Sequence, residues 1–335
     1  MQDAALSNDI VNNRGVEMRH FLDLVDLETD QLEYLLDEAA RLKLEHSRGV
    51  RAPILAGRVL GLVFEKPSLR TRVSFESAMA QMGGTSVFLQ ATDGALGVRE
   101  SVPDFARTLC QYADVVALRT FTHELQEEFA RYSVCPVINA LSDRSHPCQA
   151  LGDLLTIREQ FGEIKDRTLV FVGDSNNVAR SLAIACGKLG AKFILAAPEG
   201  YGFEDDFVEL HHRLCQAGTL EVNGRPDHAV HRADIIYTDV WTSMGQESEH
   251  ELRLRHFKDF QVNENLLSQA PAHSLVMHCL PAHRGEEVTD NVLDSDRSIA
   301  FQQAGNRMHA QKALLKWLLL EEGQQLTGEA MTMNG

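Results

Sequence analysis

Val59-Leu60-Gly61-Leu62-Val63-Phe64-Glu65-Lys66-Pro67-Ser68-Leu69-Arg70-Thr71-Arg72 sets the architecture of the chain. The apolar run Val59–Phe64 reads as a strand, and residues 71–82 read as a helix that closes at Gly83-Gly84. A strand, a short loop and a helix make up the repeating unit of an α/β sheet. Outward from here the unit recurs. Residues 86–89, 115–118 and 136–138 are short apolar strand candidates, with helices expected over 101–111 and 123–132. A long helix begins near His146 and runs to about Gln160. After it a second series follows, with strands over 168–172, 193–196, 234–238 and 274–278. Before the first strand, Thr29 caps an amphipathic helix in which Leu32, Leu35, Leu36, Ala39 and Leu42 recur until Gly49, and a final helix covers about 303–322. The expectation is two doubly wound, Rossmann-like α/β lobes, each a mostly parallel sheet flanked by helices, linked by interdomain helices.

Length agrees, since 335 residues suit two domains. The expected boundaries are 18–150, 151–305 and a C-terminal helix at 306–322 that packs back on the first domain, after a loosely held leader over 1–17. A composition of 44% hydrophobic and 24% charged residues excludes collagen-like and largely disordered chains. Net charge is −16, divided as −6 before residue 151 and −10 after it, so neither half is built to grip a nucleic-acid backbone or an anionic membrane. The run Leu314 to Leu320 is broken by Lys316, far short of a membrane span. Six cysteines without a C-x-x-C pair read as reduced thiols in a cytoplasm.

In open α/β sheets ligands gather at the carboxyl ends of strands, so the chemistry is sought in the loops there. In the opening stretch, Ser68 or Thr71 caps the helix, whose free N–H groups and Arg70 offer an anion a cradle. An ordinary capped helix with solvated arginines explains the same residues. No G-x-x-x-x-G-K-[ST] occurs, which removes the main support for nucleoside triphosphate chemistry. His146 and Gln149, one helical turn apart, suit an amide-like carbonyl better than a metal, with a capping histidine as the plain alternative. Arg119 directly follows a strand. Gly173-Asp174-Ser175-Asn176-Asn177 has a strand–turn–helix outline but lacks the later glycines of a dinucleotide site, so NAD is discounted. Asp239 to Glu247 and His278-Cys279-Leu280-Pro281-Ala282-His283 follow further strands. With no fourth soft ligand, a zinc site at His278, Cys279 and His283 is weak, and so is Cys279 as a covalent nucleophile.

Taken together, Phe64 to Arg72, His146-Pro147-Cys148-Gln149, Asp239 to Gly245 and His278-Cys279-Leu280-Pro281 resemble the aspartate/ornithine carbamoyltransferase family. The match runs in order from about residue 18 to 320, and the cysteine in His-Cys-Leu-Pro resembles the ornithine branch. The resemblance implies transfer of the carbamoyl group of carbamoyl phosphate to the δ-amine of L-ornithine, giving L-citrulline and phosphate in arginine biosynthesis. It implies no metal, no organic cofactor, and a homotrimer or an assembly of trimers. Carried over, Ser68, the Leu69 N–H, Arg70 and Thr71 hold phosphate, and Arg119 bridges phosphate and carbonyl oxygen. His146 and Thr71 polarise the carbonyl, Gln149 fixes the carbamoyl NH2 with main-chain carbonyls around Cys279 and Leu280, and Arg307 returns to the same site. Asn177, Asp239, Ser243 and the Met244 N–H take ornithine. Arg119, His146, Asp239 and Cys279 form the implied catalytic set. Leu69 stands where many members have threonine, and Ala95 where a longer polar side chain is frequent. A carbamoyltransferase for putrescine, N-acetylornithine or aspartate is the nearest alternative, and a non-catalytic carbamoyl phosphate-binding homologue is another.

Overall fold

The computed structural model describes residues 19–90, 99–242 and 247–327; the expected leader and Ala95 lie outside them. In chain order the elements are α1 (Thr29–Ser47), β1 (Val59–Phe64), α2 (Leu69–Gln81), β2 (Thr85–Gln90), α3 (Val102–Leu109), β3 (Val115–Arg119), α4 (His123–Tyr132), β4 (Val137–Leu141) and α5 (Pro147–Phe161). They continue with β5 (Thr168–Val172), α6 (Asn177–Lys188), β6 (Lys192–Ala196), α7 (Asp205–Leu214), β7 (Thr219–Asn223), α8 (Pro226–Val230), β8 (Ile235–Thr238), α9 (His250–Phe257), α10 (Glu264–Gln269), β9 (Leu275–His278), α11 (Asp290–Leu293) and α12 (Ala300–Thr327).

These elements form two compact units. Unit 1 gathers residues up to Asp26, Asp37–Cys148 and the chain from Met308; unit 2 gathers Leu27–Leu36 and Gln149–Arg307. Helices α1, α5 and α12 each pass from one unit to the other part-way along their length.

Unit 1 holds a four-stranded sheet in the order β2-β1-β3-β4, and every pairing is parallel. β3 is buried along its whole length and β1 along all but its first residue, as strands covered on both faces must be. The edge strand β2 is half exposed, with Val87 turned to solvent. At the other edge Phe21 exchanges main-chain hydrogen bonds with Val137 and Asn139, so β4 is covered there by a single residue. Leu22, Val63, Val102, Ala106, Val116, Leu118, Phe129 and Val137 pack one side of the sheet into a core.

Unit 2 holds a five-stranded parallel sheet in the order β7-β6-β5-β8-β9. Its core includes Val170, Val172, Ile194, Ile236, Trp241, Phe257 and Val276. The strand β7 is absent from the sequence expectation. Thr219-Leu220-Glu221-Val222-Asn223 lies at the sheet edge, where half-exposed polar positions replace the apolar run that marks a central strand.

The reading of all six cysteines as reduced is corrected. Cys110 and Cys135 form a disulfide with Cα atoms 5.6 Å apart, while Cys148, Cys186, Cys215 and Cys279 are free and buried. Cys110 ends α3 and Cys135 precedes β4, a neighbourhood made by packing, which no cysteine spacing announces.

Candidate active site

Each sheet has one place where the strand order reverses, and each reversal coincides with loops singled out above. In unit 1 it lies between β1 and β3, whose last residues, Phe64 and Arg119, are register partners. The next residue, Glu65, donates its N–H to the Arg119 carbonyl at 2.8 Å, and its carboxylate accepts the Phe121 N–H at 2.8 Å. The loop after β1 is thereby stitched to the loop after β3. Ser68, rather than Thr71, caps α2: it has extended backbone, and its hydroxyl accepts the Thr71 N–H at 3.2 Å. Because the cap sits at Ser68, Leu69 and Arg70 open the helix, two residues earlier than expected, with their N–H groups facing its N-terminal end. The Leu69 side chain is 74% exposed, so only its backbone is suited to a ligand, whereas Thr71, Arg119 and His146 are buried. At the far end of α2, Gly83 takes φ +85° where a Cβ would lie 2.6 Å from Pro53, so only glycine fits. His146 immediately precedes Pro147, the first residue of α5, and so stands at the mouth of that helix.

In unit 2 the reversal lies between β5 and β8. Asn176, which follows β5, caps α6 by accepting the Val178 and Ala179 N–H groups, both at 3.0 Å. Its amide nitrogen donates to Asp239 Oδ2 at 2.8 Å, just beyond β8. Asn177 is the first residue of α6. Asp239 Oδ1 accepts its neighbour's N–H, from Val240, and the Cys279 thiol from the end of β9, each at 2.8 Å. Burial, reinforced by the Asp239 carboxylate, pushes the Cys279 thiol well above its ordinary pKa, so it is a neutral hydrogen-bond donor near pH 7 and not a thiolate. The nucleophile reading has no support.

Both ring nitrogens of His278 are engaged: Nδ1 accepts the Leu280 N–H at 2.9 Å, and Nε2 pairs with the fully buried Glu287 at 2.8 Å. Glu287 also accepts the His283 N–H at 2.7 Å. The segment after β9 is therefore held from two sides, with Leu280 at φ +56° and a cis bond to Pro281.

Behind these residues runs a buried network that local patterns do not announce. Asp153, one turn after Gln149 on α5, accepts the Gln149 amide at 2.8 Å and the Gln303 amide at 2.7 Å on Oδ1, and the Tyr237 hydroxyl at 3.0 Å on Oδ2. Gln303 in turn accepts the His278 N–H at 2.9 Å. Burial raises the Asp153 carboxyl to about 7 despite these donors. Arg307, buried on α12, lies against Gly152, where an added Cβ would meet its backbone nitrogen and Cα at 3.2 Å. Arg253, like Tyr237, Gln303 and Glu287, is not singled out by the sequence. It donates to Asp174 at 2.6 Å and to the Trp241 carbonyl at 3.0 Å, clamping the loops after β5 and β8. Burial raises the Asp174 carboxyl, and Arg253 partly offsets this. Ser243 and Met244 lie outside the described residues.

Two family domains match the chain, one after the other. Residues 19–159 match the aspartate/ornithine carbamoyltransferase carbamoyl-P binding domain, and residues 165–318 match the Asp/Orn binding domain. This chain belongs to the aspartate/ornithine carbamoyltransferase family. Among relatives in the family, the ornithine carbamoyltransferase of Methanopyrus kandleri is 50% identical over 309 residues, covering 91% of this chain and 99% of its own. That of Anoxybacillus flavithermus is 48% identical over 303 residues, covering 90% and 96%. The family fold is equally clear in a solved structure of ornithine carbamoyltransferase from Pyrococcus furiosus, with TM-score 0.87 and 46% identity over 90% of this chain and 97% of that one. The fold expected from the alternating strands and helices is the one found.

Proposed function

We infer that this chain transfers the carbamoyl group of carbamoyl phosphate to the δ-amine of L-ornithine, giving L-citrulline and phosphate. The observation that carries the choice of amine is the setting of Asp239. Among the described residues its hydrogen-bond partners are Asn176, the Val240 N–H and the Cys279 thiol, all neutral. A buried carboxylate without a cationic partner attracts an ammonium group and repels a second carboxylate, which favours ornithine over aspartate. Putrescine lacks the α-carboxylate that Asn177 and the Met244 N–H are proposed to bind, and a site built for such a group rejects its absence by about 10⁴-fold.

The chemistry follows from charge. An alkyl amine with a pKa near ~10 must shed a proton before it attacks, at a cost of roughly 3–4 kcal/mol near neutrality. Asp239 and Cys279 are proposed to orient ornithine. Ser68, the Leu69 N–H, Arg70, Arg119 and Arg307 are proposed to hold the phosphate. As the amine adds to the carbamoyl carbon, negative charge grows on its oxygen, which Thr71, Arg119 and His146 stabilise; the bond from carbon to the phosphate oxygen then breaks, and phosphate leaves, taking the proton that the attacking nitrogen gives up. Gln149 supports this reading, because its buried Oε1 takes no hydrogen bond from the described residues and matches the substrate NH2. No metal or organic cofactor enters this scheme. Among the described residues no helix is long and apolar enough to cross a membrane, and a cytoplasmic homotrimer is the setting we propose.

The test is to measure citrulline and phosphate from carbamoyl phosphate with ornithine, aspartate, putrescine and N-acetylornithine in turn. Product formation with ornithine alone is expected, and Arg70→Ala is expected to abolish it. Absence of ornithine-dependent citrulline overturns the inference.

A further inference from the structure

We propose that Asp153 is the positioning residue that makes Gln149 read a carbamoyl group, by locking the orientation of the Gln149 amide. The inference rests on the functional reading above, in which Gln149 meets the substrate NH2.

A carboxamide has two ends of nearly identical shape and opposite hydrogen-bonding character, and only its surroundings decide which end points where. At Gln149 one end meets Asp153 Oδ1 at 2.8 Å. The same Oδ1 accepts the Gln303 NH2, an orientation fixed by the His278 N–H on the Gln303 oxygen, so Oδ1 acts as an acceptor, the end of Gln149 that meets it is the NH2, and the carbonyl oxygen must face the other way. It does so while buried and without a hydrogen-bond partner among the described residues. A buried acceptor left open is costly unless a ligand donor fills it. A carbamoyl NH2 is such a donor, and the methyl of an acetyl group is not. The locked amide therefore separates carbamoyl phosphate from acetyl phosphate, which is otherwise close to it in shape and charge. Turned over, Gln149 would oppose its own NH2 to the substrate's.

Asp153 is itself held in place. Its Oδ1 also accepts the Gln303 amide at 2.7 Å, its Oδ2 accepts the Tyr237 hydroxyl at 3.0 Å, and Gln303 also donates to that hydroxyl at 3.0 Å. A carboxylate receiving donors from α5, α12 and β8 cannot turn to release one of them without stranding another. These residues are fully or almost fully buried, so water does not substitute for the missing acceptor.

The experiment compares the full chain with Asp153→Leu, Asp153→Asn and Asp153→Ser. The serine variant guards against a folding failure of the leucine variant, which strands three donors, because it leaves room for a water to enter. The reading is the ratio of the acetyl phosphate inhibition constant to the carbamoyl phosphate KM, with inorganic phosphate inhibition as the control for the anion site. Asp153→Leu or Asp153→Ser is expected to lower the ratio by about 10–100-fold with little change in phosphate inhibition. Asp153→Asn keeps an oxygen for Gln149 and is expected to restore most of it. A ratio unchanged in the leucine or serine variant, or lost equally in the asparagine variant, overturns the role of Asp153. A wild-type chain that forms no citrulline fails earlier and overturns the functional reading instead.

Discussion

Asp153 also carries a stability consequence at the scale of one residue. Its carboxyl is raised from 3.8 to about 7 by burial. Between those values the folded protein holds a proton that the unfolded chain has released, so stability falls as pH rises through the window, and the penalty is complete above about 7. A rise of that size corresponds to roughly 4 kcal/mol. Asp153→Asn removes the titration. Its melting temperature relative to wild type is expected to improve by several degrees between about pH 5 and about pH 8, and an equal difference at both pH values would contradict the burial argument. The loop after β1 and the His-Cys-Leu-Pro segment stand out in the sequence because their residues are contiguous. The supports of these residues do not, since Tyr237 is 84 residues from Asp153 and Gln303 is 150 residues from it. Only the spacing of Gln149 and Asp153, one helical turn, carried a local signal.

At the scale of elements, α5 and α12 approach through Gly152, where any Cβ would press on the Arg307 backbone at 3.2 Å. Gly152→Ala is expected to destabilise the protein by about 1–3 kcal/mol and, by displacing Arg307, to raise the KM for carbamoyl phosphate more than it lowers kcat. Chemical denaturation read beside steady-state kinetics checks both, and a fully stable variant with native KM would show that the helices tolerate separation. Central strands were readable because burial on both faces demands an unbroken apolar run, as in β1, β3 and β5. β7 was not, because an edge strand has no such demand placed on it. Helix starts differ by a residue or two where two hydroxyls compete as caps, as at Ser68 and Thr71, since each can accept an N–H two or three residues further on and packing decides between them.

For the molecule as a whole, the net charge of −16 excludes a polyanionic partner but says little about one small acyl phosphate, which short-range donors govern. The proposed trimer predicts a sedimentation mass of three times 37.3 kDa in solution, and a single-chain mass would count against it. The division of the chain bears on how it is made. Unit 2 draws on Leu27–Leu36 and ends at Arg307, whereas unit 1 begins earlier yet still needs the chain from Met308 onward. On the ribosome, where domains generally form in order of emergence, the second unit has all its residues first. Unit 1 is complete only once the chain from Met308 onward has also been made, although its four parallel strands end by Leu141. That interval, at roughly 5–20 residues per second, is when the nascent chain has most need of a chaperone.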